Sequence, residues 1–302
     1  MIIILNLILV LLRVAFLTLI ERKLLGYIQL RKGPNKVSLI GLLQPFADAI
    51  KLFIKERSVI FKSNYLIYLI RPIFIMVLIL IIYLIIPIYY NLYSINLGII
   101  YILIIIRIGV YIIIISGWSS NSIYSLIGSL RSIAQTISYE VSLILIIINL
   151  LLIIESFIII DLYYIQKKII FLLLIFPVIL IIIVSLLAEL NRTPFDFAEG
   201  ESELVSGFNI EYISGRFAII FISEYGIILF RRLIFCIIFL YGNIIRFFFF
   251  LKFSLLFLMI IWFRGTYPRF RYDNLIFLTW KFYLPLILIY LIFIFNLKFF
   301  MF

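Results

Sequence analysis

Apolar residues run along this chain in long, nearly unbroken blocks, wider than the single buried stripe of a water-soluble helix. A helix rising 1.5 Å per residue needs about 20 such residues to cross a hydrocarbon layer of roughly 30 Å. Runs of that kind fall at 1–20, 66–86, 98–116, 133–154, 169–190, 217–240, 245–263 and 278–300. They predict an all-α, polytopic membrane protein of about eight transmembrane helices, forming a single membrane domain over residues 1–302. Neither an inverted internal repeat nor a Gly/Ser linker divides the chain.

The polar residues between the blocks are unevenly shared. Loops after the first, third, fifth and seventh spans hold Arg22, Arg31, Lys51, Arg131, Arg192, Arg264, Arg269 and Arg271, among other cations. The opposite loops and nearby helix ends hold mainly Lys167, Lys168, Arg231, Arg232, Arg246, Lys252 and Lys298. Basic loops resist translocation, so the richer side faces the cytoplasm-equivalent compartment, which in a mitochondrion is the matrix. Within the first of these loops, Phe46, Ile50 and Phe53 share one helical face and Asp48, Lys51 and Lys55 fall on another. That pattern, with Pro45 near its start, predicts a short amphipathic helix lying along the interface. Such a helix serves either as an anchor or as the lip of a site for an amphiphile entering from lipid. Arg13 and Arg107 fall inside predicted spans, where snorkelling or contact with a neighbouring subunit is expected.

Acidic residues are few and grouped. After the fifth span, Thr193 is placed to cap a helix that has Pro194 at its first position and Asp196 three residues past the cap. Asp196, Glu199 and Glu203 then follow at i, i+3 and i+7 on one face, with Glu189 and Glu201 close in sequence. Like charges this close do not all ionise freely, and partial burial pushes such carboxyls up towards the range useful for proton exchange. A plain solvated acidic face is the alternative. Glu140 and Glu224 lie within apolar segments, where an unpaired carboxylate is expensive and a functional role is the default. The last basic loop, Trp262 to Asp273, interleaves guanidinium and aromatic groups suited to a flat ring, although Arg264 and Arg269 are expected to make structural pairs.

Composition narrows the chemistry. The chain is 66% hydrophobic and 13% charged, against about 25% charged in soluble domains, so a membrane is the only fitting solvent. It has no histidine, a usual haem ligand, and one cysteine, Cys236, which removes Fe–S clusters, histidine-dependent nucleophiles and an internal disulfide. Electron transfer by this chain would therefore need redox centres on another polypeptide or a mobile substrate. The net charge of +12 marks the untranslocated side, and no nucleic-acid partner is expected. Met1 to Ile20 lacks the basic start of a secretory signal and reads as the first span. Preference for Ile, Phe, Tyr and Leu over Ala and Val points to an A+T-rich, organellar genome.

Six stretches together resemble the family of quinone-chamber membrane subunits of respiratory complex I, to which mitochondrial chain 1 and the bacterial H subunit belong. They are Glu21 to Asn35, Leu43 to Lys51, Ser116 to Ser122, Ala134 to Val141, Ala188 to Asn209 and Tyr267 to Asp273. The resemblance covers almost the whole chain. It implies a core membrane subunit of proton-pumping NADH:ubiquinone oxidoreductase in the mitochondrial inner membrane, with ubiquinone as bound substrate. NADH, FMN and Fe–S clusters would sit on partner subunits of the two arms. By the same resemblance Arg22, Arg31, Asp48, Phe195, Glu199 and Arg271 are tunnel or chamber candidates. Glu140, Glu189, Asp196, Glu199, Glu201, Glu203 and Glu224 would form an acidic proton path, with Arg192 as a modulating cation. Arg13, Arg107, Arg216 and the stretch from Ile154 to Lys168 depart from the family pattern. Two other classes fit the composition: a stand-alone ion-coupled transporter and a structural scaffold for quinone-reducing neighbours.

Overall fold

The computed structural model describes residues 2–56, 63–85, 96–166, 171, 175–197, 200, 212–240 and 247–301, and regular structure among them is helical throughout. In chain order the helices are α1 (Ile2–Ile28), α2 (Gln44–Ile54), α3 (Tyr65–Ile85), α4 (Gly98–Ser119), α5 (Ile123–Ile154) and α6 (Ile159–Gln166). There follow α7 (Phe176–Glu189), α8 (Gly215–Phe239), α9 (Phe247–Thr266) and α10 (Tyr272–Phe277), which runs through a π-helical turn at Leu278–Tyr283 into α11 (Leu284–Met301).

Six helices among the described residues are long and apolar enough to cross a bilayer: α1, α3, α4, α5, α9 and the joined α10–α11. Two of the eight expected spans differ. Helix α7 is apolar but only 14 residues long, and α8 carries Arg216, Glu224, Arg231 and Arg232 within 25 residues. Helix α8 tolerates that charge because it is enclosed, touching α1, α2, α3, α6 and α9. Arg232 is buried there, its guanidinium 4.1 Å from the Phe257 ring centre. Arg231 and Arg232, expected near an interface, are thus seven or more residues inside the helix.

Helix α5 starts ten residues before the expected 133. Its first turns are rich in serine, which normally weakens a helix by competing for the backbone. Here Ser125, Ser129, Ser132, Thr136, Ser138 and Ser142 each return a hydroxyl bond to a carbonyl three or four residues back. Satisfied in this way, the small side chains allow close backbone approach, the main source of helix association where lipid is as apolar as leucine. Gly117 on α4 faces Ser129 so closely that a Cβ there would overlap the serine side chain. Gly226 on α8 serves the same purpose: its carbonyl accepts from the Tyr83 hydroxyl at 2.9 Å, and a Cβ would lie 2.9 Å from Ile79.

The amphipathic helix predicted in the first polar loop is α2. Phe46 meets Phe16 of α1 edge-on at 6.1 Å, and the Phe53 ring lies against Gly215 at the start of α8. Asp48, on the other face, pairs with Arg22 at the end of α1 and accepts from Gln44 at 2.9 Å. Gln44, Asp48 and Arg22 thereby fasten α2 beneath the bundle. Glu155 ends α5 in the left-handed region and pairs with Lys298 of α11.

Overpacking at Gly117 is the clearest test of the α4–α5 contact. Gly117→Ala should lower stability by about 1–3 kcal/mol. The thermal midpoint of the detergent-solubilised protein should fall, and Ser129→Gly in the same chain should restore it. An unchanged midpoint in the single variant would remove the close-approach account.

Candidate functional site

Charges that the bilayer would otherwise exclude meet where α4, α5, α7 and α8 converge. Arg231 of α8 lies 3.0 Å from Glu189 at the end of α7, and the carboxyl is almost wholly buried. Arg107 of α4 reaches within 3.7 Å of Glu140 on α5, and Arg192, just past α7, within 3.1 Å of Glu224 on α8. Each intramembrane acid so far named thus has an arginine from a different element. At an effective dielectric near 20, opposite charges about 4 Å apart attract by about 4 kcal/mol, while removing each ion from water costs several. The pairs therefore offset the burial of the carboxyls without yielding a large surplus. The Arg192 guanidinium also rests on the rings of Tyr225 and Phe221, at 5.2 and 5.8 Å, which fixes its position.

Glu140, Glu189, Glu224 and Arg231 line one cavity of about 110 Å³, with Arg71, Thr136 and Asn191 contributing further polar wall. At about 30 Å³ per molecule this is room for several waters among convergent polar groups.

A second cluster lies in the loops on the basic side. Gln135 of α5 donates to the carbonyls of Ala188 at 2.7 Å and Phe195 at 2.8 Å, tying the α7–α8 loop to the helix that carries Glu140. The Phe270 N–H donates to the Pro194 carbonyl at 3.0 Å, and the Phe195 ring packs between Tyr139 and Phe270. Those bonds explain why residues 191–197 form turns and not the helix expected from Thr193. Carbonyls that a helix would offer to residues 198 and 199 are taken by Phe270 and Gln135. Asp196 is consequently not on a helical face; it stands 3.7 Å from Arg269. Around it Arg131, Phe197, Arg269, Phe270 and Arg271 line a cavity of about 250 Å³. Arg264 of α9 pairs with the buried Glu21 of α1, binding the first helix to this corner.

Of the tunnel candidates, the structure brings Arg22 to Asp48, packs Phe195 into the aromatic wall, and sets Arg271 at the loop cavity, 3.1 Å from Asp273. Arg31 is exposed in the turn after α1, away from these contacts. Of the acidic-path candidates, Glu140, Glu189 and Glu224 share one cavity with Arg192 bound to its rim acid, while Asp196 belongs to the loop cavity. Glu199, Glu201 and Glu203 lie outside the described residues.

Sequence reasoning missed Gln135, Arg71 and the inward placement of Arg231. Each left a trace. Arg231 follows Glu224 by seven residues, two helical turns on one face, and Arg71 sits six residues inside α3. Arg71 lies 4.8 Å from the centre of the Tyr212 ring, itself stacked on Tyr68 at 4.3 Å. Arg107, expected to snorkel or to meet another subunit, has an internal partner in Glu140. The departing Arg216 covers Tyr65 and Tyr68 at 5.8 and 5.5 Å.

The family profile described as NADH dehydrogenase matches residues 1–295. The chain is 54% identical over 287 residues to NADH-ubiquinone oxidoreductase chain 1 of Anopheles gambiae, covering 95% of this chain and 91% of that protein. It is 52% identical over 289 residues to the protein of that name from Locusta migratoria, covering 96% and 92%. It is 48% identical over 295 residues to that from Artemia franciscana, covering 97% of each.

Gln135 gives the test of how the loop is held. Gln135→Leu keeps the approximate volume but strands the Phe195 carbonyl, at about 1–3 kcal/mol, and leaves the Ala188 carbonyl with only its backbone donor, the Asn191 N–H at 3.2 Å. The variant should unfold at lower temperature and lose protease protection first between Arg192 and Phe197. Protection equal to that of the unsubstituted protein would show that the loop is held elsewhere.

Proposed function

The chain belongs to the NADH dehydrogenase family, and we propose that it is a core membrane subunit of proton-pumping NADH:ubiquinone oxidoreductase, forming part of the ubiquinone passage and of the acidic path that couples quinone reduction to proton translocation. The observation that carries this reading is the single cavity holding Glu140, Glu189 and Glu224, joined through Gln135 and Phe195 to the aromatic and cationic loop cavity.

The chain supplies no redox centre of its own in this reading. Iron–sulfur clusters need several thiolates, and the one cysteine, Cys236, is buried in the apolar core of α8. Electrons therefore come from carriers on partner subunits of the hydrophilic arm, where NADH and FMN are also bound, and ubiquinone is the substrate that this chain helps to hold. The setting is the mitochondrial inner membrane, with the basic loops in the matrix.

In the loop cavity, Phe197 and Phe270 offer faces to a flat head group, and Arg131, Arg269 and Arg271 offer donors to its carbonyl oxygens. Arg22, Arg31 and Asp48 stand on the approach from α1 and α2. Taking up two electrons and two protons turns the quinone to quinol, and the charge passing through that cavity alters the field on the carboxyls behind Gln135. In a medium of low dielectric the change is weakly screened, so Glu140, Glu189 and Glu224 exchange protons in response. Asp196, Glu199, Glu201 and Glu203 deliver protons from the loop, Arg192 holds Glu224 in register, and neighbouring membrane subunits receive the resulting charge shift.

Glu140→Gln should assemble normally yet lower quinone-linked NADH oxidation several-fold, with proton pumping falling alongside it. Full turnover and full pumping in the assembled variant would remove the acidic path from the mechanism. A photoreactive quinone analogue should label the loop segments after α1 and α7, and absence of label from both would leave only a scaffold.

A further inference from the structure

A second cavity, of about 60 Å³, lies against the first, and its lining is almost entirely hydrocarbon. Helix register places it nearer the opposite side of the membrane. On α4 the polar cavity is lined from Ile105 to Ile113 and the apolar one from Ile99 to Ile106. On α5 the corresponding residues are Thr136 and Glu140 against Leu143 to Ile147, and on α8 they are Glu224 to Arg231 against Arg231 to Phe239. The two cavities are thus stacked along the bundle. Ile106, Glu189 and Arg231 are the residues that line both.

We infer that Arg231 is an electrostatic barrier, closing the proton-bearing cavity on the side away from the basic loops so that protons do not leak across this chain. The inference rests on reading Glu140, Glu189 and Glu224 as groups that exchange protons, and it assigns Arg231 a positioning role that such an exchange requires. A space able to hold water and carboxyls, with an apolar void beyond it, needs something to stop a transient file of water from joining the two. A fixed guanidinium repels a hydrated proton, as arginines do in pores that must exclude cations. Glu189, 3.0 Å away, holds the guanidinium at the junction. The other charged groups around it are Glu140 of α5 with its partner Arg107 of α4, Arg71 of α3, and Glu224 and the adjacent Arg232 of α8. On the far side of Arg231 the lining of the apolar cavity contains none.

The test uses the whole assembled complex in liposomes enclosing a pH-sensitive dye, with a pH step and a potassium diffusion potential imposed and no NADH present. Arg231→Ala should raise passive proton conductance several-fold above that of the unsubstituted complex. Arg231→Lys, which keeps the cation, should stay near the baseline. If the alanine variant does not assemble, Arg231→Gln keeps the volume while losing the charge and should show the same rise. Liposomes as proton-tight with Arg231→Gln or Arg231→Ala as without it would overturn the inference. A leak equal in Arg231→Lys would overturn it too, since packing and not charge would then be the seal. No quinone turns over in this assay, so its failure leaves the coupling role of Glu140 standing, and failure of the Glu140→Gln test leaves this result readable.

Discussion

Carboxyl groups placed in a low-dielectric bundle must be compensated there, and most of the arrangement around the polar cavity follows from that requirement. Glu140, Glu189 and Glu224 come from α5, α7 and α8, and their arginines Arg107, Arg231 and Arg192 come from α4, α8 and the segment after α7. Each pair crosses between elements, so the charges set how four helices sit relative to one another. The attraction in each pair is comparable to the cost of drying the ions. Such a balance leaves the site sensitive to any further charge brought near it, whereas an over-stabilised site would not respond.

The two halves of the bundle are held by different means. On the basic side, serine hydroxyls folded back on α5, the amide of Gln135 and the close approach at Gly117 join the helices through polar and small groups. On the opposite side the packing is isoleucine, leucine and phenylalanine from α4 to α8, with Asn149 as an enclosed polar residue on α5. Polar and small-residue joints therefore lie near the loops, and plain hydrocarbon packing lies farther away.

Element type was legible in the sequence wherever lipid dictates it: a run of about 20 apolar residues has few alternatives to a spanning helix. The amphipathic α2 was equally readable, since Phe46, Ile50 and Phe53 share one period and the charges another. What the sequence concealed depends on partners distant along the chain. The polar first turns of α5 look like a loop until their hydroxyls are seen bonded to their own helix. Thr193 and Pro194 carry a good helix-start pattern, yet Phe270 and Gln135 claim the carbonyls such a helix would use. Glu140 and Glu224 were identifiable as candidates from the cost of an acid in hydrocarbon, but their arginine partners were not, because nothing local to Arg107 or Arg231 records which helix each will face.

The ion pair between Glu21 and Arg264 joins residues separated by most of the chain. A polypeptide leaving the ribosome exposes its first helix long before the seventh apolar segment exists. During that interval the Glu21 carboxylate lacks its arginine, and α1 is retained at the interface by Arg22 and Asp48 near its own end. The corner that holds the loop cavity therefore cannot close until Arg264 has been synthesised, late in the chain.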